Sequence, residues 1–183
     1  MEIYSAIHVR ISPMCPLNAI ITPKNAAYCI ISAPFGRLGI QTELVDGSLM
    51  ISKINYLPSN QPLIDPSNPF QKSAVRQLHQ YFKNPSHLFD LPLKPQGTIH
   101  QQTVWTSVQA IPAGFTSTYG EIARMIRSGP RAVGNACGAN PYPLLTPCHR
   151  VISAQGVGGF MKEDSPGFYR SVKIWLLRHE GVI

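Results

Sequence analysis

A cysteine and a histidine stand side by side in the segment Pro147-Cys148-His149-Arg150-Val151. A thiolate is the nucleophilic form of cysteine, and nearby cationic or hydrogen-bonding groups lower the pKa of the thiol. A histidine beside a cysteine can therefore be the base that activates it for nucleophilic catalysis. A buried cysteine next to a surface histidine would give the same dipeptide, so the pattern around the pair has to decide between the two interpretations.

Other motifs surround this pair in a fixed order. They are F-D-L-P-L at 89–93, G-T at 97–98, V-W at 104–105, Y-G-E-I-A at 119–123, R-A-V-G at 131–134, A-N-P at 139–141, P-C-H-R-V-I at 147–152 and W-L-L-R-H-E-G at 175–181. Together they resemble the O(6)-alkylguanine-DNA alkyltransferases, which repair DNA by moving an alkyl group from a damaged guanine onto their own cysteine. The resemblance covers residues 88–183, and the N-terminal part shows no motif of comparable specificity.

The resemblance implies a catalytic role for five residues. Cys148 is the nucleophile, His149 takes its proton through a bridging water, and Glu180 orients the histidine, as in other sets of nucleophile, base and orienting group. Asn140 ties a helix-turn-helix to the cysteine segment. Tyr119 lies near the flipped nucleotide, where its hydroxyl can donate a proton to the departing guanine. The implied reaction is a single, irreversible transfer from O6 of alkylguanine, and also from O4 of alkylthymine, in double-stranded DNA.

The resemblance also implies how DNA and the damaged base are bound. Arg131 enters the duplex and fills the gap left by the extruded base, and Ala132 allows its helix to approach the minor groove closely. Backbone carbonyls near Val151 accept the guanine amino group. Phe160 takes the place of the family's usual tyrosine and is expected to stack on the base, with backbone donors near Met161 reaching O6. The loop at 156–167 lacks the family's usual pair of small residues, which leaves the size of the pocket open.

Three other functions remain as alternatives. A non-catalytic sensor that binds alkyl lesions would share the fold, but Cys148 argues against it. A sequence-specific regulator would need polar side chains that read bases on the second helix, and the segment 132–136 has few. A thiol hydrolase would need an oxyanion hole and an acyl substrate, for which the sequence gives no sign.

The charge of the chain favours a nucleic-acid partner. Its net charge is +7, with nine Lys and Arg against four Asp and Glu in residues 93–183 and seven against five in residues 1–92. A basic half is what a phosphate-binding surface needs, and further phosphate contacts could come from Arg124, Arg127 and Lys94. We expect a cytoplasmic protein, because no run of 18 apolar residues and no signal peptide is evident. A monomer is also expected.

The four cysteines are too few and too scattered for a disulfide framework. Cys15 and Cys29, with His8, could assist a metal site, but their spacing matches no common zinc module, so we expect buried cysteines, no metal and no cofactor. Cys137 is expected to pack on a helix face.

Local patterns predict an N-terminal sheet with one helix. Residues 27–33, 42–45 and 49–56 read as strands, with a hairpin turn at Asp46-Gly47 and another turn marked by Gly36 and Gly39. A loop is expected from 57 to 69. A helix should begin at Asn68-Pro69 and stop by Asn84-Pro85.

The C-terminal part of the chain is predicted to be helical. One helix should end before Pro112, and a capping box at 118–121 should begin the next. The break at 128–130 separates that helix from another and suggests a helix-turn-helix. The last helix is expected to begin near 165–166 and to end at Gly181.

The predicted fold is α/β plus α. The N-terminal domain, residues 1–92, is a supporting domain whose antiparallel sheet is implied to be ribonuclease-H-like. The C-terminal domain, residues 93–183, is helical, with a winged-helix-like helix-turn-helix that binds DNA and carries out the alkyl transfer. The segment 85–97 is the expected linker.

Overall fold

The computed structural model describes residues 26–161 and 167–183. Three strands, β1 (Ala26–Ala33), β2 (Gly36–Val45) and β3 (Ser48–Leu57), form an antiparallel sheet in the order β1-β2-β3. The helices are α1 (Pro69–Lys83), α2 (Ile99–Gln109), α3 (Tyr119–Met125), α4 (Pro130–Gly138) and α5 (Phe168–His179). Two short strands, β4 (Ser117–Thr118) and β5 (Val151–Ile152), form a separate parallel ladder. The described chain is thus a mixed α/β fold, as predicted at that level.

The predicted hairpin turn at Asp46-Gly47 is confirmed. Both residues have positive φ angles, 48° and 78°, which a type I′ turn requires. The prediction of a turn at Gly39 is wrong, because Gly39 lies inside β2 and pairs with Ile30. A Cβ at Gly39 would lie 2.1 Å from the hydroxyl oxygen of Tyr28, so this glycine leaves room for a neighbouring side chain.

Helix α1 begins and ends where the sequence predicts. The side chain of Asn68 accepts a hydrogen bond from the backbone N–H of Gln71, and Pro69 occupies the first turn. The buried face of α1 includes Ala74, Leu78 and Tyr81. These residues belong to one core cluster with the sheet and with α2 and α5.

The predicted linker at 85–97 runs beside the sheet. The backbone N–H of Ile51 donates to the carbonyl of Pro92 at 2.9 Å, and the N–H of Lys94 donates back to the carbonyl of Ile51 at 2.9 Å. The backbone N–H of Ile54 also donates to the carbonyl of Pro141 at 2.8 Å. The sheet is therefore hydrogen-bonded both to this segment and to the chain that follows α4. The domain boundary after residue 92 stays a prediction.

Helices α2, α3 and α4 pack together and present the break at 128–130 to the surface. Capping boxes begin both α2, at Thr98, and α3, at Thr118, and the second of these was predicted. The indole N–H of Trp105 in α2 donates to the carbonyl of Ala136 in α4 at 2.8 Å. Helix α5 begins at Phe168, and the predicted start at 165–166 lies outside the described residues.

Gly97 allows the packing of Trp105, which gives a test of the fold. Its φ is +89°, and a Cβ would lie 2.6 Å from two ring atoms of Trp105. Gly47 has a similar φ of +78° but no atom within 4 Å of a Cβ. We expect Gly47→Ala to cost about 1 kcal/mol from backbone strain alone, and Gly97→Ala to cost about 3 kcal/mol because overpacking is added. Urea denaturation measures the unfolding free energy of both variants. Equal losses of unfolding free energy would show that Trp105 moves aside without an energetic cost.

Candidate active site

Cys148 opens a single 3₁₀ turn, Cys148–Arg150, that leads directly into β5. Its backbone N–H donates to the carbonyl of Thr146 at 2.8 Å, and only 3% of the residue is exposed. In the parallel ladder Val151 pairs with Ser117, and Ile152 pairs with Thr118. The ladder thereby sets the cysteine turn beside the start of α3, where Tyr119 lies. The short ladder was not foreseen from the sequence.

Asn140 holds the cysteine segment in place. Its side-chain Nδ2 donates to the carbonyl of Thr146 at 2.8 Å and to Sγ of Cys148 at 3.3 Å, while its Oδ1 accepts from the backbone N–H of Tyr142 at 2.9 Å. Asn140 follows α4, so these bonds connect the end of that helix to Cys148. The role of Asn140 in tying a helix-turn-helix to the cysteine segment stays a prediction.

Burial opposes ionisation of Cys148. It raises the pKa of the thiol above its usual value, and the hydrogen bond from Asn140 and the positive charge of Lys173 offset part of that rise. A buried thiol that must react as a thiolate needs a base close by.

His149 is oriented by Glu180 at the C-terminal end of α5. The imidazole Nε2 lies 2.9 Å from Oε1 of Glu180, and both side chains are almost fully buried. An Nε2–H that donates to the carboxylate leaves Nδ1 as the acceptor. Nδ1 has no protein hydrogen-bond partner within the described ranges. Burial lowers the pKa of His149, partly offset by Glu180, which favours the neutral imidazole that a general base needs.

The carboxylate of Glu180 collects four hydrogen bonds. Besides His149, Arg150 donates from Nε to Oε2 at 2.9 Å and from Nη2 to Oε1 at 2.8 Å. The hydroxyl of Tyr81 in α1 donates to Oε1 at 2.7 Å. Burial alone would raise the pKa of Glu180, but the hydrogen bonds from His149, Arg150 and Tyr81 lower it to about 2.

Lys173 is a buried cation that sequence reasoning missed. Its residue exposure is 0%, and its Nζ donates to the carbonyls of Val151 at 2.8 Å and Gly159 at 3.1 Å. The ammonium also lies 5.9 Å from the ring centre of Tyr119 and 5.7 Å from that of Phe160. Burial lowers the pKa of Lys173 to about 8. The sequence did contain a signal for this burial, because Lys173 falls on the same face of an amphipathic helix as the buried residues.

A cleft of about 720 Å³ opens in front of the cysteine. Several of the predicted site residues line it, namely Tyr119, Arg131, Cys148, Phe160 and Met161. His149, Glu180 and Asn140 are buried and do not line it. The cleft is large enough for a purine base, since small-molecule sites measure about 300–1,000 Å³.

Two further predicted residues lie outside the lining of the cleft. Ala132 is exposed on α4, which agrees with the expected approach of that helix to DNA, and Val151 is fully buried. The carbonyl of Val151, expected to accept from guanine, already accepts from Lys173. Phe160 is only 5% exposed and packs on Tyr56, with ring centres 5.7 Å apart. Much of its surface is therefore covered by protein.

Exposed cations lie on the helices next to the cleft. Arg124 and Arg127 are exposed near the end of α3, and Arg131 is exposed in the first turn of α4. Lys94, a further candidate for phosphate contact, instead forms an ion pair with Glu43 at 2.5 Å. Of the three residues expected to contact phosphate, Arg124 and Arg127 are thus the two with an exposed side chain beside the cleft.

Cys137 and Cys29 are both buried free thiols. Cys137 also lines the cleft. Cys15 and His8 lie outside the described residues, within which no cluster of three or more potential metal ligands occurs. In the same part of the chain, no helix is long and apolar enough to cross a membrane.

Comparisons with known proteins agree on one family. The profile of the 6-O-methylguanine DNA methyltransferase DNA binding domain matches residues 100–182. A methylated-DNA--protein-cysteine methyltransferase of Methanosarcina acetivorans is 36% identical over 70% of this chain and 85% of its own length. One from Shigella flexneri is 34% identical over 90% and 94%. The crystal structure of the Mycobacterium tuberculosis O6-methylguanine methyltransferase is similar, with a TM-score of 0.67, 36% identity and coverage of 85% and 92%. The M. tuberculosis protein in complex with DNA gives a TM-score of 0.66, with 36% identity and coverage of 84% and 91%.

The low pKa of Glu180 makes the stability of the fold depend on pH. A carboxyl group with a lower pKa in the folded state stabilises the protein above its unfolded-state pKa, and this stabilisation is lost as pH falls through the folded-state pKa. With a folded pKa of about 2 and an unfolded value of about 4.3, the loss lies between about pH 4 and pH 2. We expect Glu180→Gln to show a smaller decrease in unfolding free energy over that range, measured by urea denaturation.

The control for this measurement is Asp90→Asn, which removes a carboxyl group from an exposed residue. A Glu180→Gln variant that loses stability with acid as steeply as the wild type would contradict the assignment of the low pKa to Glu180.

Proposed function

Because the chain belongs to the methylated-DNA–protein-cysteine methyltransferase family, we propose that Cys148 accepts an alkyl group from O6 of alkylguanine in duplex DNA. The protein repairs DNA by alkyl transfer, and DNA is its macromolecular partner. One observation carries the assignment of the acceptor: Sγ of Cys148 lies at the cleft, held by Asn140, with the buried His149–Glu180 pair next to it in the chain and the fold.

The transfer begins with the thiol proton. His149 presents a neutral Nδ1 to take it through one water molecule, while its Nε2–H stays bonded to Glu180. Such assistance by a general base contributes about 10²–10⁴-fold to a rate. The resulting thiolate attacks the alkyl carbon, so that the S–C bond forms as the C–O6 bond breaks.

The electron pair of the C–O6 bond leaves with guanine, which must then gain a proton. Tyr119 lines the cleft near Cys148, so its hydroxyl is a suitable donor. The Tyr119 phenolate then takes a proton from solvent and His149 releases the thiol proton to solvent, so both groups return to their starting states. The product is a thioether on Cys148 and an unmodified guanine. Because no step regenerates the thiol, each molecule reacts once. The same geometry suits O4 of alkylthymine, in which the alkyl group has an equivalent leaving oxygen.

A base within the stacked duplex is out of reach of a buried cysteine, so the damaged nucleotide must be flipped. Arg131 lines the cleft and is exposed, which supports the proposal that its side chain replaces the extruded base. Flipping costs a few kcal/mol, and less for a poorly paired lesion. Helices α3 and α4 would act as the helix-turn-helix, with α4 against the minor groove, where little sequence information is read.

The finer architecture belongs to the same proposal. Residues 1–92 would form a supporting domain with a ribonuclease-H-like sheet, and residues 93–183 would form the winged-helix-like domain for DNA binding and alkyl transfer. One copy contains the nucleophile, the base and the cleft, so we propose that the protein acts as a monomer.

The proposal predicts that one methyl group appears on Cys148. We expect intact mass and peptide mapping, after mixing with duplex DNA that contains one O6-methylguanine, to show a gain that saturates at one methyl group per protein. The gain should be absent in Cys148→Ala and retained in Cys137→Ala, which removes the other thiol of the cleft. Tight binding without a gain would identify a lesion sensor, and neither binding nor gain would refute the proposal.

A second prediction separates base flipping from the chemical step. Arg131→Ala should slow transfer from duplex DNA by about tenfold or more, because flipping loses its stabilising side chain. Transfer from the free base O6-methylguanine should keep its wild-type rate. The control is Arg76→Ala, which removes an exposed arginine on α1. Equal slowing with both substrates would place Arg131 in the chemistry instead of in flipping.

A further inference from the structure

Tyr81 belongs to the N-terminal part of the chain, but its hydroxyl contacts Glu180 near the C-terminus. It lies near the C-terminal end of α1, is 1% exposed, and is 99 positions from Glu180. Its ring packs against Phe89, with ring centres 5.6 Å apart, and against His179, with ring centres 5.3 Å apart. Its hydroxyl donates to Oε1 of Glu180 at 2.7 Å.

The end of α5 is held to Tyr81 at two points. The ring Nε2 of His179 lies 2.8 Å from the backbone carbonyl of Tyr81, while the next residue of the chain, Glu180, accepts from the Tyr81 hydroxyl. The last residue of α5 and the residue that follows it thus both bind Tyr81 of α1, which leaves the Glu180 carboxylate little freedom to turn.

We infer that Tyr81 is a positioning residue for the alkyl transfer, because its hydroxyl fixes the Glu180 carboxylate that in turn orients His149. The inference rests on the proposed roles of Cys148, His149 and Glu180. It gives the N-terminal part of the chain a place in the proton-transfer path, beyond the support that the sequence suggested.

The hydroxyl of Tyr81 has no evident packing role. A phenylalanine would keep the ring contacts with Phe89 and His179, and burying a hydroxyl is unfavourable unless it is hydrogen-bonded. Burial, followed by the charge of Glu180, raises the pKa of Tyr81 well above its usual value. The hydroxyl therefore stays protonated and remains a donor to the carboxylate throughout the neutral range.

Tyr81 and His149 are connected because both donate a hydrogen bond to the same carboxylate oxygen of Glu180. Oε1 of Glu180 accepts from Tyr81, from His149 and from Arg150. Each donor stabilises part of the negative charge, so removing the tyrosine hydroxyl strengthens the attraction between the carboxylate and a protonated His149. The pKa of His149 should then rise, and its neutral form should become less populated.

Other groups that influence this pair come from each element around it. They are Cys148 and Arg150 of the 3₁₀ turn, Lys173 of α5, His179 at the end of α5, Tyr56 of β3 and Tyr81 itself. The replacement of Tyr81 by phenylalanine removes its hydroxyl and leaves the other groups chemically unchanged. A shift in the titration of His149 would therefore report the loss of the hydroxyl.

The first test compares Tyr81→Phe with the wild type. We expect the single-turnover rate of methyl transfer from duplex DNA to fall about tenfold, as for the loss of one hydrogen bond to a charged group, with unchanged affinity for the lesion. ¹⁵N NMR should show the pKa of His149 shifted upward. The matched control is Tyr28→Phe, which removes a hydroxyl that lies over Gly39 in the sheet.

The second test asks whether Tyr81 acts through Glu180. In a Glu180→Gln background, Tyr81→Phe should cause no further loss of rate, because the carboxylate that it positions is gone. The same loss in both backgrounds would overturn the inference, as would a Tyr81→Phe variant with wild-type rate and wild-type His149 titration. Methyl transfer by the wild type in the same assay would show that the proposed function stands in either case.

Discussion

The rest of the site depends on one buried charge, the carboxylate of Glu180, and on the hydrogen bonds that it accepts. An ionised carboxylate inside a protein is tolerated only when it is paired and fully hydrogen-bonded. Glu180 meets this condition with donors from two places in the chain: Tyr81 of α1, and His149 and Arg150 of the turn that contains the cysteine. The requirement to satisfy one charge thus brings together the sheet-associated helix, the cysteine segment and the last helix.

The charged groups around Cys148 influence how readily its thiol ionises. Glu180 and Arg150 compensate each other through two hydrogen bonds, whereas Lys173 is held by carbonyl oxygens and forms no ion pair with a carboxylate of the described residues. Burial disfavours a thiolate at Cys148, and the ammonium of Lys173 favours it. The balance between burial and this cation, with His149 as the proposed proton acceptor, decides how much thiolate forms.

Local signals in the sequence were sufficient for most elements. The structure shows three features that each depend on only a few consecutive residues. They are the hairpin at Asp46-Gly47, the proline at the start of α1 and the capping box at Thr118. The cysteine, the histidine and the glutamate were proposed as site residues because a family pattern marks them, and the structure brings the histidine and the glutamate into contact. Gly39 was misread, because what it accommodates is a Tyr28 side chain on a neighbouring strand. Tyr81 and Lys173 were missed for the same reason: their roles arise from contacts between residues far apart in the chain.

The parallel ladder of β4 and β5 has a consequence for the geometry of the proposed reaction. Each of its strands is two residues long, and each leads directly into or out of a reacting segment: Thr118 precedes Tyr119, and Val151 follows the cysteine turn. The sulfur proposed to attack and the hydroxyl proposed to protonate the departing base therefore belong to two segments that are paired with each other. Backbone hydrogen bonds between these segments limit how far the proposed nucleophile and the proposed proton donor can move apart.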